Sequence, residues 1–457
     1  MNLTIDDFNS VFFIGIAGAG MSALAQYLKA AGKNVSGSDR FFGSGQAGGI
    51  REKLQTQGIH CYPQDGHGIH ENIQLVVATS AIEETVPEMQ KARSLGIPVL
   101  LRSEMLSLIS KSRKTIAVGG TSGKSTTCAM IFEILETAGF APGILSGAGL
   151  TRLIKEGKIG NAKMGSGEWL VIEADESDGS IVEYQPEIGL LLNIDKDHKE
   201  IGSLIELFTT FRQNSRHFIT NQSHALAAKL SLDTENDFSI FGENAGLSAT
   251  NFSQEGLKIR FEVKGVLFEM NTVGTHNMEN AMAAIAVCHH IGVDLEICAD
   301  ALKGYEGIYR RHQVLGQKNG VWVIDDYAHN PVKCARSIEA CQPLASKVIA
   351  WFQPHGFGPT RFLKDEFVKE ISAVLRPEDE IWMSEIFYAG GTTSKDISAG
   401  DLIHEIAQQG KNAFFVANRE ELLKELRPHF TNDCVLLLMG ARDPSLELFS
   451  RQIWEEL

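Results

Sequence analysis

The chain has 457 residues, which is too long for one ordinary hydrophobic core and predicts about three domains at ~150 residues each. Hydrophobic residues make up 43% and charged residues 22%, as in a globular enzyme rather than a disordered or fibrous protein. The formal net charge of -15 argues against nucleic acid or an anionic membrane surface as a partner, because phosphate-dense polymers are bound through clustered Lys and Arg.

No uncharged apolar stretch reaches the ~18 residues that span a bilayer. The start MNLTIDD lacks the basic and apolar segments of a secretory signal. The seven cysteines are scattered and form no C-x-x-C pair, which is typical of reduced thiols. We therefore expect a cytoplasmic protein without structural disulfides.

The first segment, residues 1–112, is predicted to be a Rossmann-like α/β domain. An apolar run from Val11 to Ile16 passes through glycines into a helical pattern from Met21 to Ala31. Leu75 to Ala78 and Val99 to Leu101 are further strand candidates. The segment therefore consists of βαβ units on a parallel sheet.

The second segment, residues 113–309, is predicted to be a central P-loop-type ATPase domain. A strand from Thr115 to Val118 runs into GGTSGKSTT and a helix from Cys128 to Ala138. Strands at Trp169 to Glu173 and Ile188 to Asn193 have polar ends, Ala249 to Met270 alternates like antiparallel hairpins, and Asn277 to Ile291 is helical.

The third segment, residues 310–457, is predicted to be a doubly wound α/β domain. Its strand candidates, separated by helical stretches, are Val321 to Asp325, Lys347 to Phe352, Glu380 to Met383 and Cys434 to Met439. The whole chain is thus predicted to be an α/β protein of three domains.

A dinucleotide-type glycine motif follows the first strand. Gly18, Gly20 and Ala23 fit G-x-G-x-x-[GA], and Asp39 lies near the distance expected for a ribose contact. Glycines let the backbone approach a pyrophosphate at a helix N-terminus. The pattern suits NAD, FAD or a UDP-sugar equally, and a glycine turn needed only for helix packing is the alternative.

A phosphate-loop motif opens the second domain. Gly120 to Thr126 places glycines, Lys124 and Ser125 between a strand and a helix. The strict pattern has Gly where Val118 stands, so the loop is a shortened relative of the common one. Its N–H groups are expected to hold the β- and γ-phosphates of ATP, with Lys124 on the phosphates and the Ser125 hydroxyl on Mg²⁺.

Acidic and polar residues end the next two strands of this domain. EADESD covers Glu173 to Asp178, and NIDKDH covers Asn193 to His198. Parallel strands place both clusters at one sheet edge, where carboxylate and imidazole ligands suit Mg²⁺ bridging two substrates. A solvated acidic loop and a solvent-facing His198 are the alternatives.

Taken together, these motifs resemble the Mur ligase family over almost the whole chain, and within it the branch that adds alanine. The resemblance rests on segments that occur in the family's order: GIAGAGMS, VSGSD, ATSAI, RSEML, GTSGKST, EADESDGS, NIDKDH, THNMENAMAA, YRRHQ, DDYAHNP and FQPH. It implies that the first domain holds a uridine diphosphate sugar, the second ATP, and the third the incoming amino acid.

The activity implied by the resemblance is ATP- and Mg²⁺-dependent ligation of UDP-N-acetylmuramate to an amino acid. L-alanine is the expected amine, an acyl phosphate the expected intermediate, and peptidoglycan precursor synthesis the expected setting. A ligase that recycles a murein peptide onto UDP-N-acetylmuramate is the runner-up. We expect a monomer or homodimer that binds no nucleic acid and no membrane.

The resemblance also assigns residues. Lys124, Glu173 and His198 are the expected catalytic residues, and Ser125, Glu173 and His198 the expected metal ligands. The expected ATP contacts are Gly120, Thr121, Ser122, Gly123, Lys124, Ser125, Thr126, Asn277, Asn280, Arg311 and Asp326. The expected UDP-sugar contacts are Gly18, Gly20, Met21, Ser22, Ser38, Asp39, Ser80 and Arg102. Tyr327, His329 and His355 are expected to line the amino-acid site.

Two departures from the family pattern concern the third domain. GFGPTRF follows His355 where H-R-Y-[ST]-R-T is expected, so Gly356 and Pro359 replace two arginines that would hold the amino-acid carboxylate. Arg361 is a candidate for partial replacement. His312 stands where the family usually has Phe. The identity of the amine therefore stays open between alanine, another amino acid and a peptide.

Other classes remain as alternatives. A nicotinamide-dependent oxidoreductase would explain the first glycine motif but not the second. A non-catalytic nucleotide sensor would keep the phosphate loop without amine-dependent phosphate release. A folate or tripeptide ligase of the same family is a further alternative, although a dinucleotide-like first domain favours a UDP-sugar.

Overall fold

The computed structural model describes residues 3–43, 49–79, 82–196, 199–242, 244–388, 394–443 and 445–457. The chain divides into two units. The first unit comprises Met1–Asn251, Phe261–Phe268 and Glu279–Ile308, and the second comprises Phe252–Arg260, Glu269–Met278 and Tyr309–Leu457. No helix of the described residues is long and apolar enough to cross a membrane.

The N-terminal part of the first unit contains a five-stranded parallel sheet in the order β3-β2-β1-β4-β5. Four consecutive residues of β1, from Val11 to Ile14, are fully buried, as expected for a central strand covered on both faces. The elements are β1 (Ser10–Ile14), α1 (Ala19–Ala30), β2 (Asn34–Asp39), α2 (Ile50–Thr56), β3 (His60–Pro63), β4 (Leu75–Ala78), α3 (Pro87–Ser94), β5 (Val99–Leu101) and α4 (Arg102–Lys111).

The central part of the first unit contains a six-stranded sheet in the order β11-β10-β6-β9-β7-β8, antiparallel only at β8. One continuous hydrophobic core joins it to a face of the first sheet. The elements are β6 (Lys114–Gly119), α5 (Lys124–Thr137), β7 (Gly143–Leu145), α6 (Thr151–Lys155), β8 (Ala162–Lys163), β9 (Trp169–Glu173), β10 (Ile188–Leu191), α7 (Ile201–Asn214) and β11 (His217–Thr220).

A small four-stranded sheet follows, and the division between the two units runs through it. Its strands lie in chain order: β12 (Phe238–Ser239), β13 (Leu247–Glu255), β14 (Lys258–Val263) and β15 (Val266–Met270). Two helices follow, α8 (Thr275–Ile291) and α9 (Leu295–Lys303).

The second unit contains a six-stranded sheet in the order β16-β17-β21-β18-β19-β20, with β16 antiparallel to the rest. Separate hydrophobic cores cover its two faces, as in a doubly wound fold. The elements are β16 (Gln313–Lys318), β17 (Val321–Asp326), α10 (Pro331–Cys341), β18 (Lys347–Gln353), α11 (Phe357–Phe362), α12 (Lys364–Val374), β19 (Glu380–Met383), α13 (Ala399–Gln408), β20 (Asn412–Phe415), α14 (Leu422–Leu426), β21 (Cys434–Gly440) and α15 (Leu446–Glu456).

The fold class predicted from the sequence is confirmed, with three parallel or mainly parallel sheets that helices accompany. The domain bounds of 1–112, 113–309 and 310–457 stay predictions. All seven cysteines are free and buried.

Candidate active site

The phosphate loop connects the central strand β6 to helix α5. Gly123 precedes the helix, and no side chain caps the helix N-terminus, so its first N–H groups are available to an anion. Gly123 has φ +86°, and a Cβ there would lie 2.3 Å from Oδ1 of Asn280. Only glycine fits this turn.

Lys124 begins α5 and lies among carboxylates. Its Nζ donates to the Gly120 carbonyl and to Oε2 of Glu176, each at 2.7 Å. Burial disfavours the ammonium form, but the carboxylates of Glu176 and Asp175 outweigh that effect and raise the pKa of Lys124. Lys124 therefore stays a cation within the loop that is predicted to hold triphosphate.

Asn193, which lies just beyond the end of β10, fixes the loop from one side. Its Oδ1 accepts hydrogen bonds from the Thr121 hydroxyl and the Ser122 N–H, both at 2.9 Å. Its Nδ2 donates to the Ser122 carbonyl at 3.2 Å. Sequence reasoning placed Asn193 in a polar cluster but gave it no role. Its position just beyond a strand that neighbours the phosphate-loop strand was the available signal.

Glu173 lies at the end of β9, on the other side of the loop strand. Its Oε1 accepts from the Ser146 hydroxyl and from the Gly147 N–H, both at 2.7 Å. The parallel register of β6 and β9 pairs Glu173 with Val118, close to where the loop begins. His198, the other predicted metal and catalytic residue, lies outside the described residues.

The glycine turn of the first sheet connects β1 to α1. Gly15, which the predicted motif did not include, has φ +79°, and its N–H donates to the Ser38 carbonyl at 2.8 Å. Asp39 at the end of β2 accepts from the Ala17 N–H at 3.0 Å and from the Phe41 N–H at 3.0 Å. Gly18 is the N-cap of α1, whose N-terminus no side chain caps. Asp39 therefore stabilises the turn, and the uncapped N–H groups at the start of α1 are available to an anion.

The remaining predicted UDP-sugar residues have different surroundings. Met21 and Ser22 are buried, and the Ser22 hydroxyl donates to the Ala19 carbonyl at 3.0 Å. Arg102 begins α4, and its Nη2 donates to Oδ2 of Asp178 at 2.8 Å. Ser80 lies outside the described residues.

A cavity of about 280 Å³ lies in the first unit between the glycine turn and the central sheet. Its lining includes Gly20 and Arg102 from the N-terminal part, and Ser146, Gly147 and Glu173 from the central part. The structure therefore brings part of the predicted UDP-sugar site and one predicted metal ligand to the same cavity.

The two asparagines predicted to contact ATP both lie on α8. Within the first unit, Oδ1 of Asn280 accepts from the Thr127 hydroxyl at 3.3 Å, one turn into α5. Within the second unit, Asn277 donates to the Thr272 hydroxyl and the Val273 carbonyl, each at 2.8 Å. Asn280 is thus placed beside the phosphate loop.

In the second unit, the three predicted amino-acid-site residues are close together. The rings of Tyr327 and His329 have centroids 5.7 Å apart, and those of His329 and His355 are also 5.7 Å apart. They follow β17 and β18, the two strands on either side of β21. The carboxyl ends of such strands are the usual ligand-binding edge of an α/β sheet.

Asp326 and Arg311, predicted to reach the nucleotide, lie beside these rings. Oδ2 of Asp326 accepts from the Ser337 hydroxyl at 2.6 Å and lies 3.4 Å from Nδ1 of His312. Burial opposes ionisation, but His312 and the Ser337 hydrogen bond outweigh it and lower the pKa of Asp326. The Arg311 guanidinium lies 5.0 Å from the Tyr327 ring centroid.

Arg361, the candidate replacement for the missing arginines, is engaged elsewhere. It forms an ion pair with Asp396 and donates to the Ser394 carbonyl at 3.0 Å. The positions of the two expected arginines are Gly356, the N-cap of α11, and Pro359 within α11. Among the described residues of this segment, Arg361 is therefore not placed as a free carboxylate ligand.

Comparison with known proteins shows the family of the chain. Three family models match the chain in order: Mur ligase family, catalytic domain over residues 10–114, Mur ligase middle domain over 118–288, and Mur ligase, glutamate ligase domain over 310–442. The UDP-N-acetylmuramate--L-alanine ligase of Carboxydothermus hydrogenoformans is 32% identical over 450 residues, covering 94% of each chain. The chain belongs to the Mur ligase family.

Solved Mur ligase structures share the fold. UDP-N-acetylmuramate-alanine ligase MurC from Thermotoga maritima superposes with a TM-score of 0.80 at 24% identity, covering 98% of each chain. A murein peptide ligase from Psychrobacter arcticus gives 0.68 at 20% identity, also over 98% of each chain. The predicted three-domain Mur ligase architecture is confirmed.

The donors at the phosphate loop of this Mur ligase fit Mg²⁺. Mg²⁺ takes oxygen ligands and is usually held by one or two carboxylates together with substrate phosphates. The Ser125 hydroxyl and Glu173 offer such oxygens at the loop and at the neighbouring strand end. In the described part of the chain, no three His, Cys, Asp or Glu side chains form a metal cage by themselves. A site completed by ATP phosphates is consistent with this donor set.

Proposed function

We propose that this Mur ligase joins UDP-N-acetylmuramate to L-alanine in an ATP-dependent reaction of peptidoglycan precursor synthesis. The observation that carries the proposal is the full-length match to an enzyme named for that reaction, at 32% identity. The phosphate loop, with Lys124 held as a cation, supports the use of ATP.

The expected chemistry has two steps. The substrate carboxylate attacks the γ-phosphorus of ATP, ADP leaves, and an acyl phosphate forms. The uncharged amine then attacks the acyl carbon, phosphate leaves, and the nitrogen loses a proton as the amide forms. Lys124 is expected to neutralise charge that spreads over the transferring phosphoryl oxygens.

The fixed loop prepares for this reaction. Because Asn193 holds the Thr121 hydroxyl and the Ser122 N–H, the rest of the loop needs little reorganisation when it binds phosphate oxygens. When bound, Mg²⁺ would offset the negative charge of the phosphates, and Ser125 and Glu173 are the described residues that would hold it.

The amine site is expected at Tyr327, His329 and His355. Imidazole rings can donate hydrogen bonds to a carboxylate or accept from an ammonium group. Successive rings of this group have centroids 5.7 Å apart, and the Arg311 guanidinium lies 5.0 Å from the Tyr327 ring centroid. The murein-peptide ligase is not favoured, since relatives that are 31–32% identical over most of the chain are named UDP-N-acetylmuramate--L-alanine ligase.

The test is phosphate release from ATP with UDP-N-acetylmuramate and a panel of amino acids and peptides. We expect release to require both partners, with L-alanine giving the highest kcat/KM. Faster turnover with a murein tripeptide would replace the proposal by its runner-up. No amine-dependent release with any compound would overturn it. A cytoplasmic location and a monomeric or homodimeric state stay predictions.

A further inference from the structure

The buried residue Asn161 links helix α1, which follows the glycine turn, to Ser146 and through it to Glu173. Asn161 is 3% exposed and immediately precedes β8. Its Nδ2 donates to the Ala19 carbonyl at 2.6 Å and to the Ser22 hydroxyl at 2.9 Å. Its Oδ1 accepts from Nε2 of Gln26 at 2.8 Å. Both amide hydrogens and the amide oxygen are thus used on the first two turns of α1.

The backbone of the same residue leads toward Glu173. The Asn161 carbonyl accepts from the Ser146 N–H at 2.9 Å. The Ser146 hydroxyl in turn donates to Oε1 of Glu173 at 2.7 Å. Ser146 is 3% exposed, so neither group can exchange its partner for bulk water without opening the contact.

The first turn of α1, at one end of this chain of hydrogen bonds, and Glu173, at the other end, line one cavity. Gly20, in the first turn of α1, and Glu173 both border the cavity of about 280 Å³ described above. A ligand that binds at the N-terminus of α1 therefore acts on the helix that Asn161 holds. Glu173, which Ser146 holds, would meet a ligand at the phosphate loop through the Mg²⁺ that it is proposed to bind.

We propose that Asn161 is a positioning residue that couples the glycine turn to Glu173, so that UDP-N-acetylmuramate and Mg-ATP each strengthen the binding of the other. The inference rests on the proposed function for the identity of the two ligands. Binding energies linked in this way are reciprocal, so either ligand can report the coupling. Nothing in the sequence motifs assigned a role to Asn161.

Calorimetric titration measures the coupling without turnover. A non-hydrolysable ATP analogue with Mg²⁺ is titrated into the full chain with and without saturating UDP-N-acetylmuramate. We expect the sugar nucleotide to lower Kd for the analogue by at least about fivefold in the native chain. In Asn161→Ala we expect that ratio to fall below about twofold, with Kd for the analogue alone little changed.

Asn214→Ala is the matched control. Asn214 is half-buried in the same unit and donates to the Val182 carbonyl at 2.8 Å, away from the glycine turn. We expect this variant to keep the native ratio. If Asn161→Ala does not fold, Ser146→Ala removes the hydroxyl at the other end of the path and should lower the ratio in the same way.

The outcomes separate the two proposals. An unchanged ratio in folded Asn161→Ala or Ser146→Ala overturns the coupling and leaves the proposed function intact. A native chain in which neither ligand changes the Kd of the other also overturns the coupling and leaves the proposed function intact. A native chain that binds no UDP-N-acetylmuramate overturns the proposed function, and the coupling with it. A merely structural role for Asn161 would lower Tm while the ratio stayed native.

Discussion

The two glycine turns of the first unit have the same backbone plan and different surroundings. Each connects a central parallel strand to a helix whose N-terminus no side chain caps. The phosphate loop has its own cation, Lys124, at the first helical position. The first glycine turn and α1 contain one described cationic side chain, Lys29, which lies in the last turn of the helix and not at its N-terminus. The cation beside the first turn is Arg102 of α4, which is shared with Asp178.

This difference shows that the side chains around a glycine turn, rather than its backbone, determine which ligand it binds. The backbone alone gives an anion site that suits many ligands. The phosphate loop becomes specific because side chains within the motif, and Asn193 from the next strand, fix its charge and shape. The first turn depends on residues far away in the chain, namely Arg102 and Asn161. Substitutions at each turn can test this contrast.

The largest effect is expected at Lys124. Lys124→Ala removes the cation of the loop, and we expect ATP-dependent phosphate release to fall by about 10³-fold or more, because transition-state charge is left uncompensated. Lys114→Ala, which removes an exposed lysine paired with Glu168, is the control and should stay near native. Brisk turnover in Lys124→Ala would contradict the role of this residue.

Asn193 should follow. Asn193→Ala leaves the Thr121 hydroxyl and the Ser122 N–H without their acceptor, at roughly 1–3 kcal/mol. We expect kcat/KM for ATP to fall roughly ten- to hundredfold, with KM for UDP-N-acetylmuramate little changed. Steady-state kinetics with each substrate varied in turn measures this. Equal losses for both substrates would show that the loop is not fixed independently.

Asp39 should give the reverse selectivity. Asp39→Ala releases the Ala17 N–H from the carboxylate that closes the first glycine turn. We expect KM for UDP-N-acetylmuramate to rise about tenfold while KM for ATP stays near native, because the lost charge-assisted hydrogen bond lies only at this turn. Asp65→Ala, at an exposed loop of the same sheet, serves for comparison. A selective rise in KM for ATP would contradict the assignment.

Glu176 should change the pH profile more than the neutral rate. Glu176→Gln removes the carboxylate that most raises the pKa of Lys124, while burial, which lowers it, remains. The high-pH limb of kcat/KM should therefore move to lower pH. Glu168→Gln, at an exposed ion pair, should leave the limb in place. A limb that moves upward would mean that Glu176 does not stabilise the ammonium form.

Much of the sheet structure could be predicted from the sequence, because central parallel strands are continuous apolar runs. The bounds of β4, β5, β9 and β19 are those that the runs predicted. The edge strands β16 and β20 were missed. Most of their residues are only partly buried or exposed, unlike the fully buried residues of the central strands.

The candidate site was predictable where one motif contains all of its parts. The positions of Lys124 and Gly123 follow from local spacing. The roles of Asn161, Asn193 and Ser146 depend on contacts between distant segments, which spacing does not reveal. For Ser22 the motif predicted a contact that the structure does not show directly. Its buried hydroxyl donates to the Ala19 carbonyl and accepts from Asn161. Its direct contact with a UDP-sugar stays a prediction.

The burial of all seven cysteines makes them built-in reporters of unfolding. Burial raises the pKa of Cys61 to about 11 and that of Cys298 to about 12, so little thiolate forms at neutral pH. A thiol reagent should thus label the native chain slowly and label each region only after it opens. Cys61, Cys128, Cys288 and Cys298 belong to the first unit, and Cys334, Cys341 and Cys434 to the second. The order of modification during a urea titration would then identify which unit loses its packing first.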